Sequence, residues 1–274
     1  MASRRRTGVL TVVVTVVVAI GVGVVAHYAW RTVTAKAVGC TVGSYDLDTS
    51  QASVAATMVG AVTSFRPVLP HRAAVLALAA GLQESKLRNL APGAGDRDSV
   101  GVLQQRPSQG WGGGNPANLQ DVFKATTEFL QHLVNDVPDW QSIPMADAIQ
   151  RVQISADGSA YAQHETEATA LAAALVGDNP EAVTCYFEKP TQVAPAATVA
   201  ERLKADLRIT TPSASGSTIT VAGAHWQTVA WLVAYADRLG IDSVSYAAHT
   251  WTRAKGWKDS AASAGAVVAT MATI

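Results

Sequence analysis

One carboxylate, Glu84, leaves the end of a run that is apolar on every face: Ala73, Ala74, Val75, Leu76, Ala77, Leu78, Ala79 and Ala80. A helix of that composition is buried all round. At its last turn, desolvation and the negative end of the helix dipole both disfavour the ionised carboxylate and raise its pKa. A raised pKa suits a general acid working near neutrality. Downstream, a glycine-rich loop carries Asp96, Arg97 and Asp98, followed by Val100-Gly101-Val102-Leu103-Gln104, whose alternation predicts a hairpin strand. Glu84 and an Asp would then stand on opposite walls of a cleft. The plainer alternative is a Glu that caps a helix end beside Lys86 and Arg88, with acidic residues decorating the loop after it.

The elements that must hold these residues read as successive helices. Thr49 to Ser64 has apolar residues at helical spacing, and Pro67 and Pro70 punctuate the gap before the Glu84 helix. Gln120 to Asn135 places Val122, Phe123, Phe129, Leu130, Leu133 and Val134 largely on one side. A further helix is expected from about Met145 to Ala156, and alanine-rich Ser159 to Val176 can pack closely on its neighbours. The prediction is a mostly α domain with a small β-hairpin.

The ordered set of QES closing an apolar helix, a GDR turn and SVGVLQQRPSQGWG resembles the goose-type lysozyme and soluble lytic transglycosylase superfamily. It is closer still to the lysozyme-like domains of actinobacterial envelope proteins, over roughly Thr49 to Val176. The resemblance implies a lysozyme-like fold that cleaves the β-1,4 bond between N-acetylmuramic acid and N-acetylglucosamine in peptidoglycan. Glu84 falls on the family's general acid, and Asp96 on a carboxylate that goose-type enzymes use to position the attacking water. Gly101 and Gln104 match the hairpin motif that helps line the sugar groove, and Asp98, Ser99 and Gln105 flank it. Gln105-Arg106 stands where goose-type enzymes carry a second acid. Ala160-Tyr161-Ala162 keeps the tyrosine of the superfamily's Ala-Tyr-Asn signature and loses the amide, with Gln153 just upstream. Gln153 and Tyr161 are therefore placed in the groove, beside the alternative of a half-buried helix tyrosine whose hydroxyl finds a partner. Trp111, among glycines that cannot bury it locally, either plugs a tertiary gap or stacks on a sugar ring.

Lytic transglycosylases manage with one carboxylate, because the acid turns base and helps the muramyl hydroxyl attack its own anomeric carbon. Inverting hydrolysis needs a second carboxylate about 6.5–9.5 Å away, leaving room for water. The retained Glu84 and the replaced second acid favour the transglycosylase. An inverting muramidase using Glu84 with Asp96, and an inactive wall-binding scaffold, are the alternatives.

The rest of the chain supports work outside the cytoplasm. Arg4, Arg5 and Arg6 precede an uncharged stretch from Gly8 to Ala26 that is long enough to span a bilayer. Residues 1–35 thus read as a cytoplasmic stub and single-pass membrane anchor with both later domains extracytoplasmic. A cleaved signal ending near Val24-Val25-Ala26 is the competing reading. Both export the chain. In an oxidising compartment the two cysteines, Cys40 and Cys185, are better paired than free, and a disulfide would join the start of the 40–186 domain to its end. Lys and Arg together number 21 and so do Asp and Glu, so the charge balance gives no sign of a nucleic-acid binder. No HxxxH or CxxC spacing occurs, so neither a metal nor another cofactor is expected.

After Cys185 the composition turns to Pro190, Pro195 and Pro212-Ser213-Ala214-Ser215-Gly216-Ser217, read as a linker over 187–217 with one short helix from Thr198 to Leu207. From 218 to 274 a small α+β unit of βαββ type is expected: strand Thr218 to Ala222, helix His225 to Leu239, strand Asp242 to Ala248 and strand Val267 to Thr273. Four of the seven tryptophans crowd there, Trp226, Trp231, Trp251 and Trp257. In a unit near sixty residues their first expected use is as core. The expected partners are peptidoglycan glycan strands, the membrane through the N-terminal helix, and envelope or secretion-apparatus proteins that need the wall opened locally.

Overall fold

The computed structural model describes residues 38–154 and 158–274. The anchor and signal readings of residues 1–35 lie outside these residues, as does Ala156 at the expected helix end. No helix among the described residues is long and apolar enough to cross a membrane. The architecture is mixed α/β, with two antiparallel sheets.

The first sheet has three short strands, β1 (Gly39–Val42), β2 (Tyr45–Leu47) and β3 (Val183–Tyr186), in the order β2-β1-β3. Cys40 lies directly opposite Cys185 in the β1–β3 register, and the two form a disulfide. With 145 residues of sequence separation, the loop-entropy model gives about 5 kcal/mol from restricting the unfolded chain. This sheet was not legible in the sequence, because its strands are three or four residues long and its closing strand comes from a distant part of the chain.

Helix α1 (Thr49–Ser64) begins in a capping box: Gln51 N donates to Asp48 Oδ1, and Asp48 N donates to Gln51 Oε1, each at 2.8 Å. Its residues from Ala52 to Val62 are all buried, as are most of those in α2 (Arg72–Ser85). These two helices form the centre of the domain. The helix expected over Gln120 to Asn135 is α4 (Val122–Asp136), and a short helix not expected from the sequence, α3 (Pro116–Gln120), precedes it. Asp121 separates them because its side chain accepts from Lys124 N and starts α4 afresh. Helix α5 (Met145–Gln153) follows, then a 3-10 turn over Gly158–His164 and α6 (Glu165–Val176), where one helix was expected from Ser159.

The stretch read as a linker is folded. It contains α7 (Ala196–Leu207) and β4 (Pro212–Ser215), which pairs with β5 (Thr218–Ala222) around a two-residue turn at Gly216-Ser217. Linker composition and hairpin-turn composition coincide here, since Gly216 takes a positive φ of 56° and Pro212 lies on an edge strand. Beyond helix α8 (Trp226–Leu239), strands β6 (Ile241–Tyr246), β7 (His249–Thr252), β8 (Gly256–Asp259) and β9 (Ala266–Met271) complete a six-stranded sheet. Its order is β4-β5-β9-β6-β7-β8, larger than the expected βαββ unit.

The packing joins what composition divides, and residues 38–274 form one compact unit. Trp251 Nε1 donates to Cys185 O at 3.0 Å and Trp257 Nε1 to Val183 O at 2.9 Å, so two tryptophans of the large sheet fasten the small one. Trp231 and Trp251 are fully buried, whereas Trp226 and Trp257 are half-buried and meet edge to face. Helix α1 passes so close to α7 that a Cβ at Gly60 would lie 2.3 Å from Asp206 O. Beside that contact, the buried Asp206 carboxylate accepts from Thr57 Oγ1 (3.0 Å), Trp231 Nε1 (3.1 Å) and Arg202 Nε (3.0 Å), while Arg202 Nη2 also donates to Tyr235 OH at 3.1 Å.

Candidate active site

Helix α2 ends without glycine. Lys86 and Leu87 both take left-handed φ values, 56° and 58°, and their N–H groups return to Leu82 O and Gly81 O. This reversal is a Schellman-type stop, held by Leu87, which is fully buried. Ser85 Oγ donates to Val102 O at 2.7 Å and accepts from Arg88 N at 3.0 Å, tying the helix end to the following loop. Glu84 is thereby fixed at the rim of the core, half-buried.

Two other segments converge on it. The 3-10 turn carries Tyr161, almost wholly buried, whose hydroxyl donates to Glu84 Oε1 at 2.6 Å. Gln153, from the last turn of α5, donates its Nε2 to Leu103 O at 2.8 Å, and its amide lies near enough to the Glu84 carboxyl to favour the charged form. Burial pushes the Glu84 pKa above the ordinary carboxyl value; the Tyr161 hydrogen bond and the Gln153 amide oppose that rise without cancelling it. No cation lies within ion-pair distance of Glu84 among the described residues. Burial thus favours the protonated form of this carboxyl, and Tyr161 and Gln153 stand beside it to hold its conjugate base.

Gln83 and His164 were not singled out in the sequence. Gln83 Oε1 receives Gln163 Nε2 at 3.1 Å and lies 3.0 Å from His164 Nε2, which anchors the 3-10 turn to the end of α2. Desolvation lowers the His164 pKa, favouring the neutral ring. Its position directly before Glu84 was the one available signal for Gln83.

The loop after α2 differs from the expected hairpin strand. Only isolated bridges form, Leu90 with Gly101 and Val100 with Gln105, and residues 102–104 make a tight turn between them. Alternation misled because Val102 and Leu103 are both buried, so the two sides are not separated into core and solvent. Gly101 (φ 79°) is required there, since a Cβ would lie 2.3 Å from Leu119 O. Gln104, with φ 46°, donates its Nε2 to Gly101 O at 2.9 Å.

The other expected site residues scatter. The Asp96 side chain is 91% exposed and lies 3.8 Å from Arg97 Nε. Asp98 accepts from Arg106 Nε at 2.7 Å and from Ser108 N at 2.8 Å, and these bonds hold its carboxyl far below the ordinary range; it braces the loop. Ser99 and Gln105 are buried, so neither faces a groove, and neither amide atom of Gln105 has a hydrogen-bond partner among the described residues. Trp111 packs against Val100, Leu119 and Ala125, with its ring 4.5 Å from that of His132. It plugs a tertiary gap. No group of three or more His, Cys, Asp or Glu side chains suited to a metal gathers among the described residues. No protein-family model matches the chain, and no curated protein matches it.

Proposed function

We propose that this chain is a lysozyme-like, peptidoglycan-cleaving enzyme of the lytic transglycosylase type, anchored in the membrane with its catalytic domain outside the cytoplasm. The observation that carries the proposal is Glu84: a half-buried carboxyl with a raised pKa, no cation beside it among the described residues, Tyr161 as hydrogen-bond donor and the Gln153 amide nearby. In the reaction, protonated Glu84 gives its proton to the oxygen of the β-1,4 bond as the bond to the muramyl anomeric carbon breaks. The carboxylate, steadied by Tyr161 and Gln153, then takes the proton of the muramyl 6-hydroxyl as that oxygen bonds to the anomeric carbon. Glu84 returns to its acid form, and the products are a 1,6-anhydromuramyl end and a free N-acetylglucosamine hydroxyl.

Support for the water-free route comes from the two aspartates. Asp96 is almost fully in solvent, and both oxygens of Asp98 are committed to Arg106 and Ser108. Neither has the enclosed position from which a base directs a single water to one face of a sugar.

The test is digestion of purified peptidoglycan by the full chain, kept in mild detergent, alongside Glu84→Gln, with products identified by mass spectrometry. Anhydromuramyl ends that vanish in the variant are the expected result. Reducing ends would replace this reading by a muramidase. Wall binding with no product from either protein would make the domain a scaffold.

A further inference from the structure

On a different part of the surface from Glu84, three cavities share walls. One of about 480 Å³ is lined by residues including Asn89, Phe123, Lys124, Arg202, Arg208 and Arg238. The next, of about 500 Å³, shares Phe123, Lys124 and Arg208 with it, and a third, of about 310 Å³, shares Phe123, Thr127, Gln131 and Arg208 with the second and adds Arg66. Phe123 and Arg208 line all three, so the cavities adjoin around this pair and count as one groove.

The groove is cationic although the chain as a whole is formally neutral. Arg66, Lys124, Arg202, Arg208 and Arg238 line it, against Asp121, Glu128 and Asp206. Each acid is already engaged. Asp206 is buried under Arg202, Trp231 and Thr57, Glu128 accepts from Gly112 N through both oxygens, and Asp121 caps α4. Three guanidinium groups keep only neutral partners among the described residues. Arg208 lies over the Phe123 ring at 4.8 Å, Arg238 Nη1 donates to Ser53 Oγ at 3.3 Å, and Arg66 Nη1 donates to the carbonyls of Thr63 and Phe65. The first turn of α4, from Val122 to Lys124, lines the groove as well and adds the positive end of a fifteen-residue helix.

We propose that this groove binds an extended polyanion whose repeating charge is a phosphodiester. Five cations spread over three adjoining cavities suit a chain with several charges rather than a single ion, and they are mostly arginines, whose planar forks grip phosphate oxygens in pairs. A helix N-terminus favours the same group. The groove shares no residue with the Glu84 cluster, so the two proposals stand or fall separately.

A fluorescently labelled poly(glycerol phosphate) oligomer, titrated against the full chain by anisotropy, tests it. The expected result is saturable binding that weakens about tenfold or more between 50 and 200 mM salt. It should fall at least tenfold in R208A/R238A and also in R66A/K124A, with folding confirmed by circular dichroism and melting temperature. The second pair alters exposed side chains, so the test survives if the first pair does not fold. Lys255→Ala with Lys258→Ala, on exposed cations outside the groove, should bind as the parent does. Absence of binding, equal loss in the Lys255/Lys258 variant, or polyglutamate of the same charge binding as tightly would overturn the proposal; the last would mark a carboxylate site.

Discussion

Asp206 and Glu84 are both carboxylates drawn into the protein beside a tyrosine, yet their surroundings differ in what answers the charge. Around Asp206, an indole N–H, a threonine hydroxyl and the Arg202 guanidinium supply donors and a full positive charge. Around Glu84 stand the neutral Tyr161 hydroxyl and Gln153 amide, and no cation among the described residues. The first arrangement ties the side chain down and joins three helices across the domain. The second leaves a proton that can come and go. Burial without charge compensation is the condition on which the proposed acid role of Glu84 rests.

This contrast can be broken most severely at the reaction itself. Glu84→Gln should lower peptidoglycan turnover by about 10²–10⁴-fold or more, the range of a general acid's contribution, while Asp206→Asn, if folded, should leave turnover within a few-fold. Comparable losses in both would erase the distinction. In stability the order reverses. Asp206→Ala removes the acceptor of the buried Trp231 N–H and Thr57 hydroxyl, while the half-exposed Arg202 can turn to solvent, and should cost about 1–3 kcal/mol in denaturant unfolding. Glu84→Gln should cost nothing measurable, since an amide oxygen can still accept from Tyr161.

Tyr161→Phe sharpens the comparison further. Loss of one hydrogen bond to Glu84 should cost about 1–2 kcal/mol. It also removes an influence that lowers the Glu84 pKa, so the alkaline limb of kcat/KM should move to higher pH. A limb that stays in place would mean that Tyr161 does not bear on the acid.

The smallest effect lies in the pH dependence of folding. Because the folded-state pKa of Glu84 is raised, its favourable contribution is complete below the unfolded value, 4.5, and is lost as pH rises through the folded value. Glu84→Gln should thus match the parent's melting temperature in acid and exceed it progressively toward neutrality. A constant difference across that window would contradict an uncompensated carboxyl.

The two sites also differed in how far they could be read beforehand. Glu84 was visible because α2 is apolar on every side and a lone carboxylate breaks that pattern at its end. Asp206 was invisible: in Glu201-Arg202-Leu203-Lys204-Ala205-Asp206 it looks like one more charge on a short amphipathic helix, and only the approach of α1 and α8 buries it. Tyr161 and Gln153 were proposed for the groove and do meet Glu84. Asp98 and Gln105, proposed beside them, turn out to brace the loop and to sit in the interior. Spacing along a loop does not say which side of a turn faces solvent, and Gln104 and Gln105, adjacent in sequence, face different surroundings.

Local composition by itself determined the major helices, the helix end that presents Glu84, and the pairing of Cys40 with Cys185 once only two cysteines were available. These follow from short-range rules: apolar runs without polar faces, capping residues, and the chemistry of a single thiol pair. Only the tertiary structure decided that the glycine-serine stretch after Pro212 is a hairpin, that Trp251 and Trp257 fasten one sheet to another, and that the last sixty residues share a compact unit with the rest. Those outcomes depend on contacts between residues far apart in the chain. Their energies come from surfaces that exist only after the helices and strands have formed.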